Sequence, residues 1–231
     1  MLLVCRLLYR HNPRLPVGVP MLTGAGYDVG NTVIPFVSVF YPGAGFSYLI
    51  SFNITNTIMV QGVNFAIVRA LSGKKEDGTT GRFVKDIFSS VPLDAYLVVL
   101  FLAVTGIRLP ETAVTVFSTI ASANSFLVML MIGLKLELSL SGNGLTDTIG
   151  MVVLRLCSAL VFSAATILFL PLPELAKRVL IMAYLGSPSA VSTIYVRKLG
   201  YKGSFSADVS MLSVLLAVLL IPTVQLFLKG G

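Results

Sequence analysis

Apolar residues fill this chain in long blocks, separated by short runs of proline, glycine and charge. Blocks near 19–41, 46–68, 91–108, 113–134, 148–170, 177–197 and 204–228 each approach the ~20 residues that a helix needs to cross a hydrocarbon layer. A shorter apolar run opens the chain at 1–14 and reads as the last turns of a helix whose beginning is absent. It carries Arg6 and no small-residue cleavage site, which argues against a signal peptide. Residues 72–86, SGKKEDGTTGRFVKD, are charged and glycine-rich and form the clearest linker.

Two blocks are interrupted where a spanning helix would be deepest. The 177–197 block holds Gly186-Ser187-Pro188-Ser189 at its centre, and the 19–41 block holds Gly30-Asn31-Thr32 with Pro35 close behind. Proline removes a backbone donor and clashes with the preceding turn, while glycine offers nothing to resist unwinding. A helix broken at mid-depth exposes bare amides and a positive dipole end, which lipid cannot satisfy. Paired breaks in matching places are the sequence mark of a binding site in secondary carriers. A weak internal repeat supports the pairing. Gly30-Asn31, the turn at Tyr41-Pro42-Gly43 and the block from Phe46 parallel Gly186-Ser187-Pro188, the turn at Gly200–Gly203 and the block from Phe205.

Composition narrows the class. Of 231 residues 55% are hydrophobic and 12% charged, with a mean hydropathy of +0.90; a soluble domain carries roughly 25% charged residues. The reading is an all-α, polytopic helical membrane protein. The net charge of +7 does not point to nucleic acid, because the basic residues fall between apolar blocks. If every block crosses once, Arg6, Arg10, Arg14, Arg69, Lys74, Lys75, Arg82, Lys85, Lys135, Arg197, Lys198 and Lys202 collect on one side. Arg108, Lys177, Arg178 and Lys229 collect on the other, and Arg155 lies within a block. The richer side is expected to be cytoplasmic, with the 72–90 loop there and the C-terminus outside. Both interrupted blocks are expected to run from cytoplasm to exterior.

Candidate chemistry is sparse. The single histidine and the two separated cysteines exclude a metal centre or a disulfide framework. There is no HExxH, GxSxG or fixed carboxylate pair, so no catalytic residue, cofactor or enzymatic activity is expected. Gly24-Ala25-Gly26 and Gly43-Ala44-Gly45 lack a phosphate-loop lysine and read as packing and turn glycines. Substrate-binding candidates are Asn31, Thr32 and Pro35 at the first break, Asn124 and Ser125 within 113–134, and Ser187, Pro188 and Ser189 at the second. Asp28 is the carboxylate expected deepest in a span and is a coupling candidate; Asp208, one turn into its span, is a weaker one. Asn53, Asn56 and Asn64 share one helix face, with Asn53 and Asn56 candidate cavity residues beside their simpler reading as helix–helix bonds. Arg155 is expected to snorkel toward the cytoplasmic surface.

The segment 184–222, YLGSPSAVSTIYVRKLGYKGSFSADVSMLSVLLAVLLIP, resembles the last two helices of the auxin efflux carrier family of permeases. The resemblance rests on a small-residue and proline break, a short basic turn, a helix with Ser213 and a closing Pro222. ASANSFLVMLMIGLKLEL at 121–138 is similar to that family's helix with a small, polar break, and Gly30-Asn31-Thr32 to its asparagine-containing crossover. Asn53 stands where members often carry an aspartate, and Pro35 follows Asn31 more closely than in many members. The resemblance implies two inverted five-helix repeats whose broken helices cross, the first repeat being incomplete. Residues 1–71 then belong to the first repeat, 72–90 are a cytoplasmic linker, and 91–231 are the complete second repeat. It also implies alternating-access transport of organic carboxylate anions, such as auxin-like acids or dicarboxylates, in a cell or endoplasmic reticulum membrane. The lipid bilayer, the anion and a coupling proton or sodium would be its partners, and a homodimer a candidate assembly. The alternatives are a cation-coupled symporter or antiporter of related fold, and a truncated, non-transporting fragment.

Overall fold

A computed structural model describes residues 1–71, 95, 98–99, 101–102, 104–134 and 144–229, except the side chains at 61, 69, 122, 124–126, 128–129, 131–134 and 228–229. The described residues form helices, turns and coil, with no strand among them. The expected linker at 72–90, the start of the repeat expected from 91 and residues 135–138 of the 121–138 segment lie outside them, as do the side chains of Asn124 and Ser125.

Helix α1 (Leu2–Tyr9) turns at Asn12 and Pro13 into α2 (Gly18–Gly24). Pro20 stands in the first turn of α2, where its missing N–H has no intrahelical partner to lose. The backbone then unwinds over Ala25–Asp28, forms a π-turn at Val29–Val33 and resumes as α3 (Ile34–Phe40). Helices α4 (Ala44–Ile58) and α5 (Phe65–Leu71) are joined through a second π-turn, Met59–Asn64. Further on come α6 (Glu111–Leu134) and α7 (Leu145–Phe169). The second interrupted pair follows, α8 (Glu174–Tyr184) and α9 (Ala190–Lys198), and then α10 (Phe205–Lys229). Helices α7 and α10 are long and apolar enough to cross a membrane; the other blocks are divided by breaks and π-turns or only partly described.

Three sequence expectations are corrected. The first break lies at Ala25–Asp28, upstream of Gly30-Asn31 and Pro35. Pro35 sits in the first turn of α3, where a proline costs least, and the π-turn before it absorbs the register. Gly26 is what permits the early break. Its φ is +122°, and a Cβ there would collide with Val60. Helix α6, second, runs unbroken through Asn124 and Ser125, since small and polar residues without proline do not stop a helix.

Third, the two interrupted helices run in opposite directions. Two buried clusters divide the fold. One gathers Cys5 and Tyr9 of α1, Val19, Met21 and Leu22 of α2, Val68 of α5, Met151 and Val152 of α7, Tyr195 and Val196 of α9 and Phe205 and Val209 of α10. The other gathers Val29, Val33 and Val37 of the first π-turn and α3, Leu49 of α4, Val179, Met182 and Ala183 of α8, and Ala217 and Ile221 of α10. The first half of one broken helix therefore packs with the second half of the other.

Candidate functional site

The breaks touch each other. The Asp28 N–H donates to the Ser187 carbonyl at 2.8 Å, and the Thr32 and Ser187 hydroxyls bond at 2.7 Å while each is 1% exposed. Gly186 is required at this contact. A Cβ there would stand 2.9 Å from Val33 Cγ2 and 3.1 Å from the Ala183 carbonyl oxygen.

Unwinding leaves backbone groups that must be satisfied, and side chains from two neighbouring helices supply the partners. From the α4 side, Asn56 accepts from the Tyr27 N–H at 3.0 Å and donates to the Tyr27 carbonyl at 2.8 Å, while Asn64 donates to Ala25 O at 3.3 Å. From α7, Arg155 donates to the carbonyls of Gly24 (2.9 Å), Gly26 (3.0 Å) and Gly186 (2.9 Å). Its guanidinium also lies 5.1 Å from the Tyr27 ring centre. Arg155 is 6% exposed and does not snorkel, because three carbonyls at the crossover hold it where water would otherwise be needed. Carbonyl ends of half-helices carry partial negative charge, which a cation offsets.

On one side of the crossover lies a cavity of about 470 Å³. Asp28, Asn31, Thr32, Ser187 and Pro188 form its floor; Ala190, Thr193, Ile194 and Arg197 of α9 and Ala207, Ser210, Met211 and Val214 of α10 form its walls. The Asn31 amide nitrogen donates to both carboxylate oxygens of Asp28 at 3.0 and 2.9 Å, and the Asn31 N–H reaches one of them at 3.2 Å. The α9 N-terminus begins immediately after Ser189, whose side chain makes no capping bond. Arg197, exposed in the last turn of α9, gives the cavity its cation. On the other side, Tyr27, Phe52, Tyr184 and Phe162 pack with ring centres 5.8–6.1 Å apart.

Five of the expected site residues (Asp28, Asn31, Thr32, Ser187 and Pro188) therefore meet on one cavity. The others stand elsewhere. Pro35 and Ser189 are buried beside the lining, and Asn53 is buried in α4. Asn56 clamps the unwound backbone, the simpler of its two readings. Asp208 accepts from Ser204 at 2.7 Å in the first turn of α10, away from the cavity. The wall residues of α9 and α10 escaped sequence reading, although a signal exists. Positions 190, 193, 194 and 197, and again 207, 210, 211 and 214, repeat the i, i+3, i+4, i+7 spacing of one helix face. Among the described residues no cluster of His, Cys, Asp or Glu could hold a metal ion. Compared with family models, characterised proteins and solved structures, the chain matches none of them.

Proposed function

We propose that this chain is the core of a multi-pass membrane carrier of small organic carboxylate anions, working by alternating access. The observation that carries the reading is the crossing itself: two interrupted helices meet at their breaks, and the first break together with α9, the second half of the other helix, lines one cavity. A membrane setting is supported by the inside-out distribution of side chains. Leu168, Phe169, Leu226 and Phe227 are 73–79% exposed, while Thr32, Arg155, Thr166, Ser187 and Gln225 are buried. In water such an apolar exterior would aggregate, whereas lipid accepts it.

The cavity's chemistry favours a carboxylate with an apolar body. Arg197 draws the anion to the mouth, the α9 N-terminus adds the positive end of its dipole, and Ile194, Met211 and Val214 accommodate carbon. Asp28 makes entry conditional. Two like charges about 4 Å apart repel by roughly 4 kcal/mol at an effective dielectric of ~20, so a carboxylate binding beside it draws in a proton or cation. By the distribution of basic residues the cavity faces the cytoplasm, and the aromatic cluster closes the exterior side. Antiparallel broken helices are what two inverted repeats require, and rocking one repeat against the other would exchange open and closed sides. The auxin efflux carrier resemblance points to the same chemistry.

The test is counterflow in proteoliposomes of the full-length protein, using labelled mono- and dicarboxylic acids. Saturable exchange of at least one acid is expected; exchange of none overturns the reading. Asp28 favours a cation-coupled variant of the same carrier. In Asp28→Asn, binding is expected to persist while dependence on a pH or sodium gradient disappears; an unaltered gradient dependence removes coupling through this residue.

A further inference from the structure

Arg155 does more than fill space at the crossover. It is a full positive charge in a buried position, and its hydrogen-bond acceptors are three backbone carbonyls from two different broken helices. Among the described residues no carboxylate forms an ion pair with it. Unwound carbonyls and half-helix carboxyl ends are the groups with which broken-helix carriers coordinate a coupling metal cation. Here those oxygens converge on a guanidinium. Beside it lies a recess of about 10 Å³ lined by Gly186, Tyr184 and Ser213. Ser213 is 7% exposed, and its hydroxyl, which has no hydrogen-bond partner among the described residues, belongs to a residue of the same lining.

We propose that Arg155 is a tethered cation occupying the place where a mobile alkali cation would otherwise bind, so that the crossover needs no sodium or potassium. The inference rests on the carrier reading for its consequence in transport, and on the carbonyl geometry alone for the site. It assigns coupling, where present, to a proton at the cavity rather than to a metal ion at the crossover. Planarity matters as well as charge. The guanidinium fork reaches carbonyls on both broken helices at once, whereas a lysine ammonium is a single point with shorter reach.

The experiment is a thermal melt of the detergent-purified full-length protein and its Arg155→Ala, Arg155→Met and Arg155→Lys variants. Each is measured with sodium, potassium or methylguanidinium chloride against choline chloride at equal ionic strength. The wild type is expected to show no cation-specific shift. Arg155→Ala should melt roughly 10 °C lower, as expected when a buried charge leaves its acceptors unmet. It should recover saturably with methylguanidinium, or with sodium or potassium, and Arg155→Lys should fall between. If the alanine protein is not recovered, the methionine and lysine variants decide: both are long, and only lysine keeps the charge, so lysine should be the more stable. An Arg155→Ala protein that melts like the wild type, a rescue-resistant one that ignores every cation, a methionine variant equal to lysine, or a sodium-specific shift in the wild type each overturns the proposal. The melt needs no substrate. Loss of cation rescue with carboxylate exchange intact removes only the tethered cation, while absent exchange with rescue intact removes only the carrier.

Discussion

Adding one methyl group at Gly186 tests the crossover most directly. In Gly186→Ala the new Cβ would lie 2.9 Å from Val33 Cγ2 and 3.1 Å from the Ala183 carbonyl oxygen. The first contact must open, and neither neighbour yields freely. Val33 is fully buried and β-branched, which restricts its rotamers, and the carbonyl belongs to the last turn of α8. Overpacking of this kind costs about 1–3 kcal/mol. For a chain of this length that is a fall of roughly 2–12 °C in melting temperature. The displacement also separates partners on both sides, because Gly186 O accepts from Arg155 and the adjacent Ser187 bonds Thr32 and Asp28. Counterflow should therefore fall with stability. Val33→Ala in the same background removes the closer obstacle, so the double variant should be more stable than the sum of the two single costs allows. Fluorescence-monitored melts of the four proteins give this cycle. A Gly186→Ala protein with unchanged melting and exchange, or strict additivity with Val33→Ala, would refute the close-approach argument.

Two further outcomes follow from the geometry around the breaks. Asn56→Leu deprives the Tyr27 N–H and carbonyl of both partners, and a buried unsatisfied group costs about 1–3 kcal/mol; a melt unchanged within error would show that Asn56 is dispensable as a clamp. Arg197→Gln removes an exposed charge at the cavity mouth, where such interactions are worth ~0.2–1 kcal/mol. The half-saturation concentration of a transported acid should rise up to about fivefold at low ionic strength, and the difference should shrink in ~1 M salt. An equal half-saturation at low salt counts against Arg197 as the anion's attractor.

Helical class and the position of the second break were legible along the chain, because both depend on local chemistry. Gly186, Ser187 and Pro188 oppose a helix wherever they stand, and the unwound residues Leu185–Ser189 of the structure coincide with them. The first break was misplaced because Pro35 and Gly30 are local signals that a π-turn can absorb. The need for glycine at Gly26 comes from Val60 of the second π-turn, which would collide with any side chain there and lies 34 residues further along the chain. Arg155 shows the same limit more sharply. Within its own block an arginine predicts an escape to the surface, and nothing nearby in sequence reveals acceptors 129 to 131 residues earlier and 31 later.

What the sequence by itself determined is the all-helical build and the set of residues that interrupt it, since hydropathy, proline and glycine act over a few neighbouring positions. The tertiary structure alone decided that the two interruptions meet antiparallel, that asparagines and one buried arginine satisfy their backbone, and that Asp28, Ser187 and Arg197 share a cavity. Those are contacts between distant parts of the chain, fixed by which carbonyls and methyl groups arrive together when the helices pack.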